Sequence, residues 1–86
     1  PDPTPEELAL RRDLQQHIQQ GLATLPYEQR VVVVLSDVQG LSYEEIADAT
    51  RASLGTVKSR LSRGRAHLRD FLLRSGELSS ARFRLI

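Results

Sequence analysis

Between Ser53 and Arg69 the chain places apolar residues at helical spacing on one side and small or basic residues on the other. At about 100° per residue counted from Ser59, Val57, Leu61 and Leu68 fall at about 160°, 200° and 180°, with Leu54 and Leu72 beside them. Such a stripe must be covered, so the stretch is predicted as one helix and the rest of the chain has to supply the core beneath it. Gly64 lies on the same apolar side and reads as a packing position.

The opposite side gathers Gly55, Thr56, Ser59, Ser62, Arg63 and Ala66 within about 60° of Ser59. Lys58 and Arg60 occupy the two shoulders. From Arg51 to Arg69 there are six basic residues and no acidic one. An ordinary solvated helix mixes signs for i,i+4 pairing, and this one does not. Short hydrogen-bonding groups with one guanidinium between long cations match a helix laid in the major groove of DNA, where short groups meet base edges and cations meet phosphates.

Charge is divided along the chain. Residues 1–50 carry nine acidic and three basic groups, a net −6, and residues 51–86 carry two and nine, a net +7, so the overall +1 conceals a strong asymmetry. A basic C-terminal part suits nucleic acid, and the acidic part suits a different partner or solubility. Eighty-six residues make one small domain with a modest core and no room for a deep substrate cleft. Without cysteine there is no disulfide framework and no thiolate metal site, and two isolated histidines do not build a zinc site, so neither metal nor cofactor is expected. No apolar run approaches the ~20 residues a membrane helix needs, and the expectation is a soluble, cytoplasmic protein. The opening Pro1-Asp2-Pro3-Thr4-Pro5 and the absence of methionine read as a linker, residues 1–4, from a preceding N-terminal domain.

The fold class predicted is all-α, a small four-helix domain over residues 5–74 containing a helix-turn-helix. Thr4 is an N-cap, Pro5 suits the first helical position and Glu7 completes a Thr-x-x-Glu capping box for a helix to about Ala23. Leu10, Leu14, Ile18 and Leu22 form its buried stripe, and His17 reads as a surface residue. Leu25-Pro26 ends that helix and starts the next, with Pro26 in its first turn. Val31 to Leu35 favours a strand by propensity, yet a lone strand has no partner, and Glu28-Gln29-Arg30 before it and Gly40 after it bracket a helix. Val31, Val34, Leu35 and Val38 are expected inside. Val32 and Val33 are left partly outside, either as extra core or as a protein-docking surface. Ser42-x-x-Glu45 is a capping box for a third helix, with Leu41 stapled to Ile46. Arg51-Ala52-Ser53 forms the turn, Ser53 caps the long helix, and Gly76 stops it after about Arg74. Residues 75–86 read as a tail.

Leu41-Ser42-Tyr43-Glu44-Glu45-Ile46-Ala47 followed by Gly55-Thr56-Val57-Lys58-Ser59-Arg60-Leu61-Ser62-Arg63-Gly64-Arg65, with Leu25-Pro26-x-x-x-Arg30 and Asp37-Val38-x-Gly40 upstream, closely resembles region four, the C-terminal DNA-binding domain, of bacterial extracytoplasmic-function sigma factors. The likeness spans roughly Pro5 to Leu73. It implies a four-helix domain that binds the minus-35 promoter element and docks on the flap of RNA polymerase, with an anti-sigma factor as a further possible partner. It implies base contacts from Lys58, Ser59, Ser62 and Arg63, with Thr56 on phosphate; the helical wheel independently places Ser59, Ser62 and Arg63 on the groove side. Arg51, Ser53, Arg60 and Arg65 are the further candidates for phosphate. The chain departs from the family at Thr50, where relatives usually carry an apolar residue, and at Arg51, where they usually carry Gly; a left-handed Arg51 costs on the order of 1 kcal/mol relative to Gly.

Promoter DNA binding as a monomer is therefore the function expected. The alternatives are a module whose main partner is protein, and a response-regulator-type helix-turn-helix effector, which usually binds as a dimer. Enzymatic chemistry is not expected. Glu44 and Glu45 are adjacent and diverge on a helix, Ser59 has no histidine within helical reach, and no glycine-rich phosphate loop is present.

Overall fold

In the computed structural model, which describes residues 1–75, every regular element is helical. The order is α1 (Pro5–Thr24), α2 (Tyr27–Val33) running directly into a π-helical segment (Val34–Val38), α3 (Tyr43–Thr50) and α4 (Leu54–Arg74). The expected stop at Gly76 and the 76–86 part of the tail lie outside the described residues.

The described residues divide into two compact units, one formed by Pro1–Thr24 with residues 68–75, the other by Leu25–His67. In the first, Thr4 caps α1: its Oγ1 accepts from the Glu7 amide at 3.2 Å. Pro5 takes the first helical position, where its missing N–H costs no hydrogen bond. Leu14 and Leu22 are buried on the predicted stripe, as is Leu72 of α4. A Cβ at Gly21 would stand 2.6 Å from Leu68 Cδ1 and 2.8 Å from Phe71 Cδ1, so α1 and the end of α4 touch where no side chain fits.

The second unit holds the helix-turn-helix. Its core is Leu25, Val32, Val33, Ile46, Val57 and Leu61, with Ile46 and Val57 fully buried. The valine run is helical as expected, but its inward face differs from the one read off the sequence. Val32 and Val33 are 0% and 2% exposed, whereas Val38 is 63% exposed. Val32 and Val33 are therefore core, and they present no docking surface. With four consecutive valines the local pattern does not fix the phase of the helix. The phase follows the crossing with α4, where a Cβ on Gly64 would lie 2.7 Å from Val33 Cγ2 and 3.3 Å from the Gln29 carbonyl oxygen. Past Val33 the ladder widens: the Gln39 amide donates to the Val34 carbonyl at 3.0 Å, a five-residue span, which shifts the later side chains off the α-helical stripe. Pro26 stands one position earlier than expected. With φ −52° and ψ 145° it is the N-cap of α2 rather than its first residue.

α3 is closed at both ends. The Glu45 amide donates to Ser42 Oγ at 3.1 Å and the Ser42 amide donates to Glu45 Oε1 at 2.8 Å, so both arms of the capping box are made. The Glu45 carboxyl is lowered from its ordinary value, first by the backbone N–H of Ser42 and then by the Ser42 hydroxyl. At the other end the Ala52 amide reaches the Ala47 carbonyl at 3.1 Å and the Arg51 amide the Asp48 carbonyl at 3.4 Å, the two bonds of a Schellman motif. Thr50 turns its hydroxyl back onto the Ile46 carbonyl at 2.7 Å, which accommodates a polar residue at this half-buried position.

Candidate nucleic-acid interface

α4 begins where Ser53 supplies its cap. Ser53 Oγ accepts the Thr56 amide at 3.1 Å and donates its own proton to Thr56 Oγ1 at 2.9 Å. The other first-turn amides point out of the helix end, the position at which helices bind phosphate. Beyond the cap the two sides separate as the wheel requires. Val57, Leu61 and Gly64 are buried, while Gly55, Lys58, Ser59, Ser62 and Arg63 are exposed and Thr56 and Ala66 are half-buried. Leu54 is 38% exposed, so the apolar stripe starts at Val57 rather than at the head of the helix.

The turn before α4 is aimed by Arg51, which adopts φ 55° and ψ 38°, the left-handed conformation. It is the one non-glycine residue with positive φ among those described. Its side chain is exposed.

The basic residues of this stretch fall into two groups. Arg60 Nη2 pairs with Glu28 Oε2 at 3.3 Å. Arg65 forks onto Asp37, Nε to Oδ2 at 3.0 Å and Nη2 to Oδ1 at 2.7 Å, and Nη2 also donates to Ser36 Oγ at 3.3 Å. The Arg65 guanidinium is raised above its already high ordinary value, first by its hydrogen bonding to Asp37 and then by the Tyr43 hydroxyl. Among the described residues Arg51, Lys58, Arg63 and Arg69 have no ion-pair partner. Thus Lys58, Ser59, Ser62 and Arg63 share one exposed surface, with Ser53 and Thr56 at its N-terminal end, whereas Arg60 and Arg65 are tied to α2 and the π segment.

Glu28, Ser36 and Asp37 belong to this site, and the sequence assigns none of them a role in it, although Asp37 is part of the motif that carries the resemblance. The usable signal was the concentration of acidic residues in the first half of the chain, but charge counts do not say which carboxylate meets which cation 28 or more residues away. His67 is also engaged, its Nδ1 lying 2.8 Å from Gln29 Oε1.

Beside Arg60, a surface hollow of about 350 Å³ is lined by Tyr27, Glu28, Val31, Ala49, Thr50 and Arg60. Tyr27 is 71% exposed, with the Arg30 guanidinium carbon 6.0 Å from its ring centroid. No buried side-chain nitrogen or oxygen lacks a hydrogen-bond partner among the described residues, and no three of their metal-binding side chains come together. None of the described helices is long and apolar enough to cross a membrane.

Comparison with known proteins adds to this geometry. Residues 15–68 match the family described as Sigma-70, region 4. The chain is 49% identical over 71 residues to the ECF RNA polymerase sigma factor SigE of Mycolicibacterium smegmatis, covering 83% of this chain and 28% of that protein. It is 41% identical over 61 residues to the ECF RNA polymerase sigma-E factors of Escherichia coli K12 and of Salmonella typhimurium LT2, covering 71% of this chain and 32% of each. The chain thus spans about a third of the length of these curated relatives.

Proposed function

The chain belongs to the sigma-70 region 4 family, and on that premise we propose that it is the promoter-reading domain of an extracytoplasmic-function sigma factor, binding double-stranded DNA at the minus-35 element. The observation that carries this reading is the exposed surface of α4. Lys58, Ser59, Ser62 and Arg63 face solvent together, and neither of the two cations among them is neutralised by a carboxylate of the described residues. Arg63 offers a planar fork that suits the O6 and N7 of guanine, Ser59 and Ser62 are short enough to admit close approach, and Lys58 reaches from the shoulder. Arg51, Ser53 and Thr56 are assigned to phosphate, with the first-turn amides behind Ser53, and Arg60 joins them when it leaves Glu28.

The remaining parts of the reading concern the longer protein. Residues 1–4 link to a preceding domain, RNA polymerase docks on this one through its flap, and the domain works as a monomer in the cytoplasm. The family is not a class of enzymes, and no catalytic residue is assigned.

Selection of binding sites from random duplexes tests the proposal. The 86-residue chain is expected to enrich one motif, and Arg63→Ala to lose about 1–3 kcal/mol on that motif while relaxing the preference at one base position. No enriched motif, or an equal loss on all duplexes, overturns the assignment of Arg63 to base reading.

A second reading is that the domain's main partner is protein, whether polymerase or an anti-sigma factor. The hollow that exposed Tyr27 helps to line favours it, since an aromatic ring on the wall of a surface recess of mixed polarity suits a protein anchor. Loss of polymerase binding in Tyr27→Ala, with DNA affinity unchanged, is the expected result.

A further inference from the structure

Resting on the DNA-reading assignment, we propose that Arg65 is a positioning residue rather than a phosphate contact: its guanidinium, forked onto Asp37, fixes the rotation of α4 about its own axis and thereby decides how Ser59, Ser62 and Arg63 meet the base edges.

Arg65 stands at about 240° on the wheel that has Ser59 at zero, at the rim of the apolar stripe and well away from the groove side. Its side-chain partners Ser36 and Asp37 lie in the π segment, and the Tyr43 hydroxyl of α3 also bears on it. Nε and Nη2 take the two oxygens of one carboxylate at 3.0 and 2.7 Å, and Nη2 takes the neighbouring Ser36 hydroxyl at 3.3 Å. The widened turn thus presents two consecutive side chains to one guanidinium. A bidentate pair is directional, whereas the contacts of Val57 and Leu61 with the core are not. The difference matters because a helix with side chains has a radius of about 5–6 Å, so that a rotation of about 10° moves a side-chain tip by about 1 Å. A displacement of that size takes a hydrogen bond out of range.

The same geometry removes Arg65 from the phosphate set. To reach DNA it would have to abandon both bonds and leave Asp37 uncompensated beside a second anion. While the pair holds, its net charge is zero and it releases no counterions from DNA. Nor is the pair chiefly a stabiliser, since Arg65 and Asp37 are 45% and 43% exposed and ion pairs in water contribute little.

The discriminating variant is Arg65→Lys, which keeps the charge and loses the fork. Affinity is measured for the selected duplex and for a scrambled duplex of the same composition, each over a range of salt, alongside the thermal midpoint. Arg65→Lys and Arg65→Ala are both expected to lower the preference for the selected duplex about tenfold, within the range that one base readout carries, with the salt slope unchanged. Asp37→Asn, which leaves Arg65 in place, is expected to do the same. The proposal is overturned if Arg65→Lys reads DNA like the unmodified chain, if Arg65→Ala flattens the salt slope, or if Asp37→Asn tightens binding. It is equally overturned if all three lower the thermal midpoint while the preference stays intact, which would make the pair purely structural. Should Arg65→Ala fail to fold, the lysine and asparagine variants decide. If the unmodified chain prefers no duplex, the DNA-reading assignment itself has failed, a result seen before any variant is compared.

Discussion

Arg60 and Glu28 form an ion pair with Nη2 3.3 Å from Oε2, the arginine side chain 27% exposed and the glutamate 70%. A single contact so open to water contributes about 0–1 kcal/mol, so, unlike the forked Arg65–Asp37 pair, it yields readily to a competing phosphate. Arg60→Ala is expected to weaken binding to all duplexes alike and to reduce the salt slope by about one. Glu28→Gln should act in the opposite direction, raising affinity without changing sequence preference. Anisotropy titrations at several salt concentrations check both, and an unchanged slope in Arg60→Ala would refute its phosphate role.

Arg51 holds φ 55° in a position where the chain turns between α3 and α4. The left-handed conformation costs a side-chain-bearing residue on the order of 1 kcal/mol relative to glycine. Arg51→Gly is therefore expected to stabilise the fold by about that amount and to weaken DNA binding without altering preference. Thermal melts and duplex titrations of the same preparation should show the two effects with opposite signs. Loss of stability in Arg51→Gly would mean that the arginine side chain contributes contacts exceeding the strain.

Gly64→Ala tests the crossing of α4 over α2. Alanine is the better helix former by about 1 kcal/mol, which alone would stabilise. Its Cβ would stand 2.7 Å from a methyl of Val33, a stiff β-branched side chain, and 3.3 Å from the Gln29 carbonyl oxygen. Overpacking of this kind costs about 1–3 kcal/mol, and a net loss is expected in urea unfolding. A rise in the midpoint would show that α4 lifts away at little cost.

The α3 cap gives a pH dependence of defined sign. Glu45 has its carboxyl lowered from 4.5 by the backbone and hydroxyl of Ser42. Its contribution is complete above pH 4.5 and disappears as the pH falls through the lower folded value. Ser42→Ala, removing the cap, should cost about 1 kcal/mol near neutrality. Glu45→Gln, which removes the titrating carboxyl, should flatten the acid limb of the stability curve between pH 4.5 and the onset of acid unfolding. An acid limb identical to that of the unmodified chain would place the dependence elsewhere.

Helix ends closed by local chemistry were legible in the sequence. Thr4, Ser42 and Ser53 each accept the amide three residues on, and these bonds are written in residues adjacent along the chain. The two sides of α4 were legible for the same reason, since six cations and a regular Val57–Leu61 spacing need no distant information. The valine run was not. Four neighbouring positions were equally apolar, and the choice of Val32 and Val33 depended on where Gly64 came to rest and on a π turn that propensity does not foretell. The angle alone puts Leu54 beside the stripe, yet it is 38% exposed, because a helix's first turn can project beyond the surface it packs on. The partners of Arg60 and Arg65 were out of reach because ion pairing between distant segments depends on the finished fold.

α3 has an end chemistry on each side. A reciprocal cap joins Ser42 to Glu45, and a left-handed residue at Arg51 returns the Arg51 and Ala52 amides to Asp48 and Ala47. Gly40, at φ 74°, and the Ser53 cap bound the same stretch outside those closures. Each closure counts residues, so one inserted or deleted anywhere from Gly40 to Ser53 would break a bond at one end and rotate α3 by about 100° against the other. Away from its capping residues and buried Ile46, this interval is therefore freer to change its letters than its length, and variation among functional descendants of this chain should appear there as replacement, with insertion confined to the connections outside it.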